Sequence, residues 1–267
     1  MPNLSDRPAS KLVKTILMGD GGTGKTSALA SLAGAGYKLR IMDFDNQLTP
    51  LVKLIKLRFP DKMANVTYLP FHDKLKTGPS GPVLDGPPQA FINALKTLDH
   101  WRDGDEDLGP PRLWGPGTVL VLDSFTRFGD AAERWADFFQ VKPGKGTGQK
   151  DYRDVIGEAQ SGLTHFLNTI RAESFNTNVI LICHVSYQDG IIPGALKMFP
   201  KAPGKKLSPD IPTYFESYLL AENTNGTRQI RTAGSPLADL KNAATFDMPA
   251  TLPIDTGLAE FFKRVTA

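Results

Sequence analysis

The sequence predicts an α/β domain built on a mostly parallel central sheet, with helices on both faces and an antiparallel hairpin at its C-terminal end. Three observations carry this. The runs TVLVL (residues 118–122) and NVILIC (178–183) are almost uninterruptedly apolar, the pattern of central parallel strands buried on both faces. Segments of this kind alternate along the chain with segments of helical composition and spacing, which implies crossover connections and a covered sheet. Finally, Asn225-Gly226 lies between two strand-like stretches, 217–222 and 228–232, a strong hairpin signal.

The bulk numbers bound the answer. The chain has 267 residues and a formal net charge of +3, with 40% hydrophobic and 22% charged residues. That is long enough for one large α/β core. A charge this small does not by itself argue for nucleic acid, so the placement of the charges matters more than their sum. The single cysteine, Cys183, allows no intrachain disulfide and reads as a small core residue. The polar N-terminus and the lack of a long apolar run predict no secretory signal and no membrane span, hence a cytoplasmic protein.

Along the chain, residues 1–10 read as a loose arm, 11–232 as the core and 233–267 as an extension of the same domain. Strands are expected over 11–18, 38–44 and 66–71, and helices over 26–32 and 51–57. Residues 73–88 and 102–117 are rich in Gly, Pro and Asp and read as loops. Between them, Phe91, Leu95 and Leu98 fall at helical spacing over 89–101. Helices are also expected over 130–139, 152–171 and 258–265.

In open parallel sheets ligands bind at the carboxyl ends of the strands. The polar residues that directly follow the apolar runs are therefore the candidates. After the first run comes Gly19-Asp20-Gly21-Gly22-Thr23-Gly24-Lys25-Thr26-Ser27, a full match to the phosphate-binding P-loop pattern in its required strand-to-helix context. The glycines let backbone N–H groups wrap an anion, and the following helix N-terminus adds its dipole. Lys25 is placed to reach β and γ phosphates and Thr26 to bind Mg²⁺. The expected ligand is ATP with magnesium. Asp123 ends TVLVLD, where a carboxylate partners the P-loop hydroxyl in holding the metal.

Asp43 and Asp45 follow the second strand in IMDFDNQLTPL. A similar D-x-D-x-Q stretch occurs in ParA/MinD-type ATPases, but those carry a lysine at the second P-loop position, where this chain has Asp20. The stretches IMDFDNQLTPL, VLVLDSFTRF and NVILICHVS together resemble RecA-like recombinases in order and spacing. More narrowly, APGKKLSPDIPTYFESYLLAEN resembles the phage-encoded, single-domain RecA-like ATPases associated with single-strand annealing recombination. The resemblance covers roughly residues 11–232.

The resemblance implies a RecA-like ATPase fold and several residue roles. Asp45 takes the position of the general base, one methylene shorter than the family's usual glutamate, with Asp43 either sharing the work or serving as a buried structural acid. His184 takes the position that senses the γ-phosphate. Arg228 and Arg231 are candidates for a cation donated to a neighbouring subunit's nucleotide. The family's two DNA-binding loops fall on Lys142, Lys145 and Lys150, and on Lys197, Phe199, Lys201, Lys205 and Lys206. Basic loops of this kind suit a phosphate backbone, with Phe199 able to stack on bases.

These features together predict an ATPase that hydrolyses slowly, stimulated by DNA. It would bind single-stranded DNA as a homo-oligomeric ring or filament, with a single-strand-binding protein as a candidate partner, in the host cytoplasm if phage-encoded. A P-loop ATPase without DNA activity, a ParA/MinD-type switch and a nucleotide or small-molecule kinase are the alternatives.

Overall fold

The computed structural model describes residues 11–140, 151–189, 196–244 and 247–267. The anticipated arm (1–10) and the first basic loop with Lys142, Lys145 and Lys150 lie outside the described residues.

The leading part of the chain alternates strand and helix: β1 (Lys14–Met18), α1 (Lys25–Gly34), β2 (Lys38–Asp43), α2 (Thr49–Arg58) and β3 (Val66–Pro70). Two small hairpins then flank α3 (Ala90–Asp99): β4 (Leu75–Gly78) with β5 (Gly81–Leu84), and β6 (Trp101–Asp103) with β7 (Glu106–Gly109). The core resumes with β8 (Gly115–Asp123), α4 (Phe125–Trp135), α5 (Tyr152–Arg171) and β9 (Thr177–Cys183). A hairpin of β10 (Val185–Asp189) and β11 (Leu196–Pro200) leads to the short α6 (Leu207–Asp210). The chain closes with β12 (Ser217–Thr224), β13 (Thr227–Arg231), β14 (Thr251–Pro253) and α7 (Gly257–Val265).

Eight strands form one sheet in the order β14-β13-β12-β1-β9-β8-β2-β3. The six from β12 to β3 are parallel; β13 and β14 add antiparallel at one edge. This is the architecture that the RecA-like resemblance implies: a mostly parallel sheet, helices on both faces and a C-terminal antiparallel hairpin. Strand alternation divides the core in two. Ile16, Leu120, Leu122 and Leu181 face α3, α4 and α5 through Phe91, Phe125, Phe128 and Phe166. Leu17, Val119, Val121 and Ile182 face α1, α2 and α7 through Leu29, Leu32, Ile55, Phe261 and Phe262. Both faces of the central strands are thus covered, which is why their sequences are continuously apolar. Cys183 is fully buried, as a small core residue.

Several expected elements differ. The loops anticipated over 73–88 and 102–117 contain the β4–β5 and β6–β7 hairpins and the start of β8. Most residues of these ribbons are exposed or half-buried, so no buried face imposes the alternation that marks a strand. The helix expected to begin at residue 130 begins at Phe125, because Ser124 caps it by accepting a hydrogen bond from the Arg127 N–H. A π-helical turn, Ala136–Gln140, follows α4. Among the described residues no helix is long and apolar enough to cross a membrane.

Candidate functional site

The parallel register brings the candidate residues into one row. Met18 on β1 lies opposite Cys183 on β9, and Asp123 on β8 lies opposite Asp43 on β2 and Ile182 on β9. The chain leaving each strand therefore delivers the P-loop, Asp45, Ser124 and His184 to the same carboxyl edge. Lys25, Thr26, Asp45, Asp123 and His184 line a single cavity of about 220 Å³ there.

Within the P-loop, Gly22 and Gly24 adopt positive φ (78° and 91°), which side chains with a Cβ disfavour. A Cβ at Gly19 would overlap the Ala221 carbonyl of neighbouring β12, so glycine is needed where the loop leaves the sheet. Gly21, Gly22, Gly24, Lys25, Thr26 and Ser27 line the cavity. The other three loop residues do different work. Gly19 donates its N–H to the Cys183 carbonyl; Thr23 is buried and donates to the Asp20 carbonyl; the exposed Asp20 accepts from the Tyr187 hydroxyl at 3.3 Å. The Lys25 ammonium donates to the carbonyls of Gly19 and Asp20, each at 2.7 Å. Burial pulls its pKa down, partly opposed by the negative field of Asp123.

The Thr26 hydroxyl donates to Asp123 Oδ2 at 2.7 Å. Asp123 is buried, and burial pushes its carboxyl up to about 7 despite the Thr26 hydrogen bond, with Asp45 and Asp43 adding repulsion. A hydroxyl and a buried carboxylate of this kind fit Mg²⁺, which takes few protein oxygens beside phosphate and water. No group of three or more His, Cys, Asp or Glu among the described residues forms a self-sufficient metal cage, so any ion held here would take its remaining oxygens from phosphate and water.

Asp45 is held on two sides. Ser124 Oγ donates to its Oδ1 at 2.8 Å, and His184 Nε2 lies 3.4 Å from its Oδ2. Burial alone would raise its pKa, but His184 and Ser124 bring it below the ordinary carboxylate value, leaving a proton acceptor at neutral pH. Asp43 has a different role: its Oδ1 accepts the N–H groups of Asp45 and Asn46 and so shapes the turn that presents Asp45. It is buried and does not line the cavity.

A path of hydrogen bonds runs from this cluster to the β10–β11 hairpin. The His184 N–H donates to Thr126 Oγ1, whose hydroxyl donates to the Lys201 carbonyl, and the Lys201 N–H donates back to the His184 carbonyl. Of the second basic stretch, Lys201, Lys205 and Lys206 are exposed. Lys197 is paired with Asp239 at 2.5 Å. Phe199 is half-buried on β11 opposite Ser186, so the large apolar side chains that the described residues of this hairpin expose are Tyr187 and Leu196.

The two arginines separate. Arg231 is engaged by Glu222 of the adjacent strand at 2.8 Å. Arg228 lines this chain's own cavity, whereas the resemblance implies for both a place on a neighbouring subunit's nucleotide. Three further residues were not among the expected site residues: Gln47 and Pro50 line the cavity and Ser124 holds Asp45. Gln47 and Pro50 lie within IMDFDNQLTPL and Ser124 within VLVLDSFTRF, so the stretches that carry the resemblance are the signal that could have found them.

No family model matches the chain, and no curated protein does. Among solved structures it is similar to the RadB recombinase, at 15% identity and a TM-score of 0.46 over 92% of this chain and 89% of that one. It is also similar to a prototypical ATPase from the type III secretion system of pathogenic bacteria, at 11% identity and a TM-score of 0.44 over 80% of this chain and 52% of that one. A third is the ATPase EscN of enteropathogenic E. coli, solved with its central stalk EscO, at 11% identity and a TM-score of 0.45 over 80% of this chain and 42% of that one. The chain spans about half the length of the two secretion ATPases.

Proposed function

We propose that this chain is an ATP- and Mg²⁺-binding RecA-like ATPase that hydrolyses ATP slowly and binds single-stranded DNA as a homo-oligomer, in homologous recombination or annealing. The observation that carries the ATPase reading is the convergence of Lys25, Thr26, Asp123 and Asp45 from separate strand ends on one P-loop cavity.

The chemistry follows from the placement. The P-loop N–H groups and Lys25 bind the β and γ phosphates. Thr26 and Asp123 would hold Mg²⁺, which when bound would supply charge neutralisation to the triphosphate. Asp45 orients a water and accepts its proton as the water oxygen bonds to the γ-phosphorus and the bond to the β-bridging oxygen breaks, releasing ADP and phosphate. Ser124 fixes the carboxylate, and His184 lies beside both Asp45 and the cavity. A base one methylene shorter than glutamate, with a long His184 contact, favours slow turnover.

The DNA reading rests on the path from Asp45 through His184 and Thr126 to Lys201. It joins the nucleotide site to the stretch that exposes Lys201, Lys205 and Lys206. A change at the γ-phosphate would bias this stretch as a local switch. The test is fluorescence anisotropy of labelled single-stranded DNA with and without a non-hydrolysable ATP analogue and Mg²⁺ across a salt series. Salt-sensitive binding that strengthens with nucleotide is expected. No binding at low salt would leave a P-loop ATPase acting on another client.

A further inference from the structure

A second cavity, of about 250 Å³, opens beside the phosphate cavity, and Gly24, Ser27, Pro50 and Arg228 line both. Its outer walls are Leu54 and Leu57 of α2 and Ile254 after β14, with Lys53 and Asp255 beside them. The junction between the two lobes is tight. A Cβ on Gly24 would stand 3.1 Å from Ile254 and 3.3 Å from Arg228, so these side chains rest directly on the turn that enters α1. Leu57 is 78% exposed at this lobe, a large apolar surface left uncovered by the described residues. Among the described residues the Arg228 side chain makes no hydrogen bond or ion pair, although Arg231, on the same strand, is paired with Glu222.

We infer that the second lobe receives the base and ribose of a nucleoside triphosphate, with Arg228 of the same chain against the base, and that it distinguishes adenine from guanine only weakly. This rests on the P-loop reading above and adds to it a role in cis for Arg228 and a statement of base preference.

The first part follows from continuity and chemistry. A triphosphate seated on the P-loop must direct its nucleoside along a path leading away from Lys25, and this lobe provides one walled by aliphatic side chains. A planar guanidinium stacks on aromatic faces, and Arg228 stands where the polar and apolar lobes meet. The second part follows from what the lobe lacks. Strong discrimination between related ligands, about 10⁴-fold or more, needs buried polar groups that the wrong ligand leaves unpaired, whereas an apolar pocket discriminates by about a hundredfold or less. None of the polar side chains lining this lobe is buried. Arg228 and Lys53 are donors and meet acceptors present on both purines. Asp255, the one acidic group, accepts from Arg58 at 2.8 Å, and both are close to half exposed, so water competes for its remaining oxygen.

The test is equilibrium competition on the full chain, with Mg²⁺, against a ribose-labelled fluorescent ATP. The competitors are ATP, GTP and inorganic tripolyphosphate. ATP and GTP should compete within about tenfold of each other. Both should exceed tripolyphosphate by about tenfold or more, as base burial and an arginine contact allow. Arg228→Ala should weaken both nucleotides by about three- to thirtyfold and weaken tripolyphosphate by less than either. Tripolyphosphate binding as tightly as ATP, or a preference for ATP over GTP above about a hundredfold, would overturn the inference while leaving the P-loop reading standing. Binding of none of the three, labelled ATP included, would remove the P-loop reading itself.

Discussion

At the scale of single residues, neighbours in the site have separable jobs. Asp45 is proposed as the proton acceptor, so Asp45→Asn should lower the hydrolysis rate by about 10²–10⁴-fold, the range for loss of a general base, while leaving nucleotide affinity in place. Ser124 touches Asp45 rather than the reacting atoms. Ser124→Ala should therefore lower kcat by less than Asp45→Asn does, with KM unchanged. Steady-state kinetics on the two variants decide this, and a Ser124→Ala effect confined to KM would contradict the positioning role. Asp45 was legible because it lies directly after an apolar run, and the parallel register turns that simple rule into a shared site. Arg228 was harder to place. Sequence shows a cation on a strand, but only the approach of β13 and Ile254 to Gly24 puts it in this chain's own cavity.

At the scale of elements, Asp73 shows how a loop fixes a helix. It lies before α3, and its Oδ1 accepts the N–H groups of Gln89 and Ala90, two of the donors left unpaired at that helix's start. Its other oxygen accepts from Arg134 of α4 at 2.8 Å. Partial burial of the carboxyl raises its pKa, but the Ala90 N–H and Arg134 bring the net value below the ordinary one. A depressed folded pKa gives stability that is fully present above the unfolded value, about 3.9. That stability is lost as pH falls through the folded value. Asp73→Ala should cost about 1–2 kcal/mol at pH 7, as for loss of a helix cap, and less at pH 3. Urea unfolding of both proteins at the two pH values measures this; an equal difference at both would contradict it. The flanking hairpins were invisible in sequence for a related reason. β6 and β7 are three and four residues long and largely exposed, so their pairing rests on the turn and leaves no apolar alternation to read. The β10–β11 hairpin is similar: exposed and half-buried residues alternate irregularly along it.

At the scale of the whole molecule, the sheet order places β1 beside β9 and puts His184 between the cavity at the strands' carboxyl ends and the basic stretch that follows. The fold class was readable because the central strands are buried on both faces. The edge of the sheet was read only in part, since β14 is a three-residue strand set among Pro and polar residues. If the exposed lysines meet phosphates, replacing Lys201, Lys205 and Lys206 together with alanine should weaken single-stranded DNA binding. It should also make the salt dependence of log K shallower by about 0.7 for each phosphate that is no longer neutralised, with ATP affinity unchanged. Anisotropy across a salt series reads both, and an unaltered slope would remove this stretch from the DNA surface.

The loop from Gly19 to Ser27 as a nucleoside triphosphate site is the claim on which the others depend. It is tested most directly by calorimetric titration of ATP·Mg²⁺ into the purified chain and into its Lys25→Ala variant. Saturable one-to-one binding per chain is expected, lost or severely weakened in the variant. Equal binding by both proteins, or no binding by the unmodified chain, would contradict it.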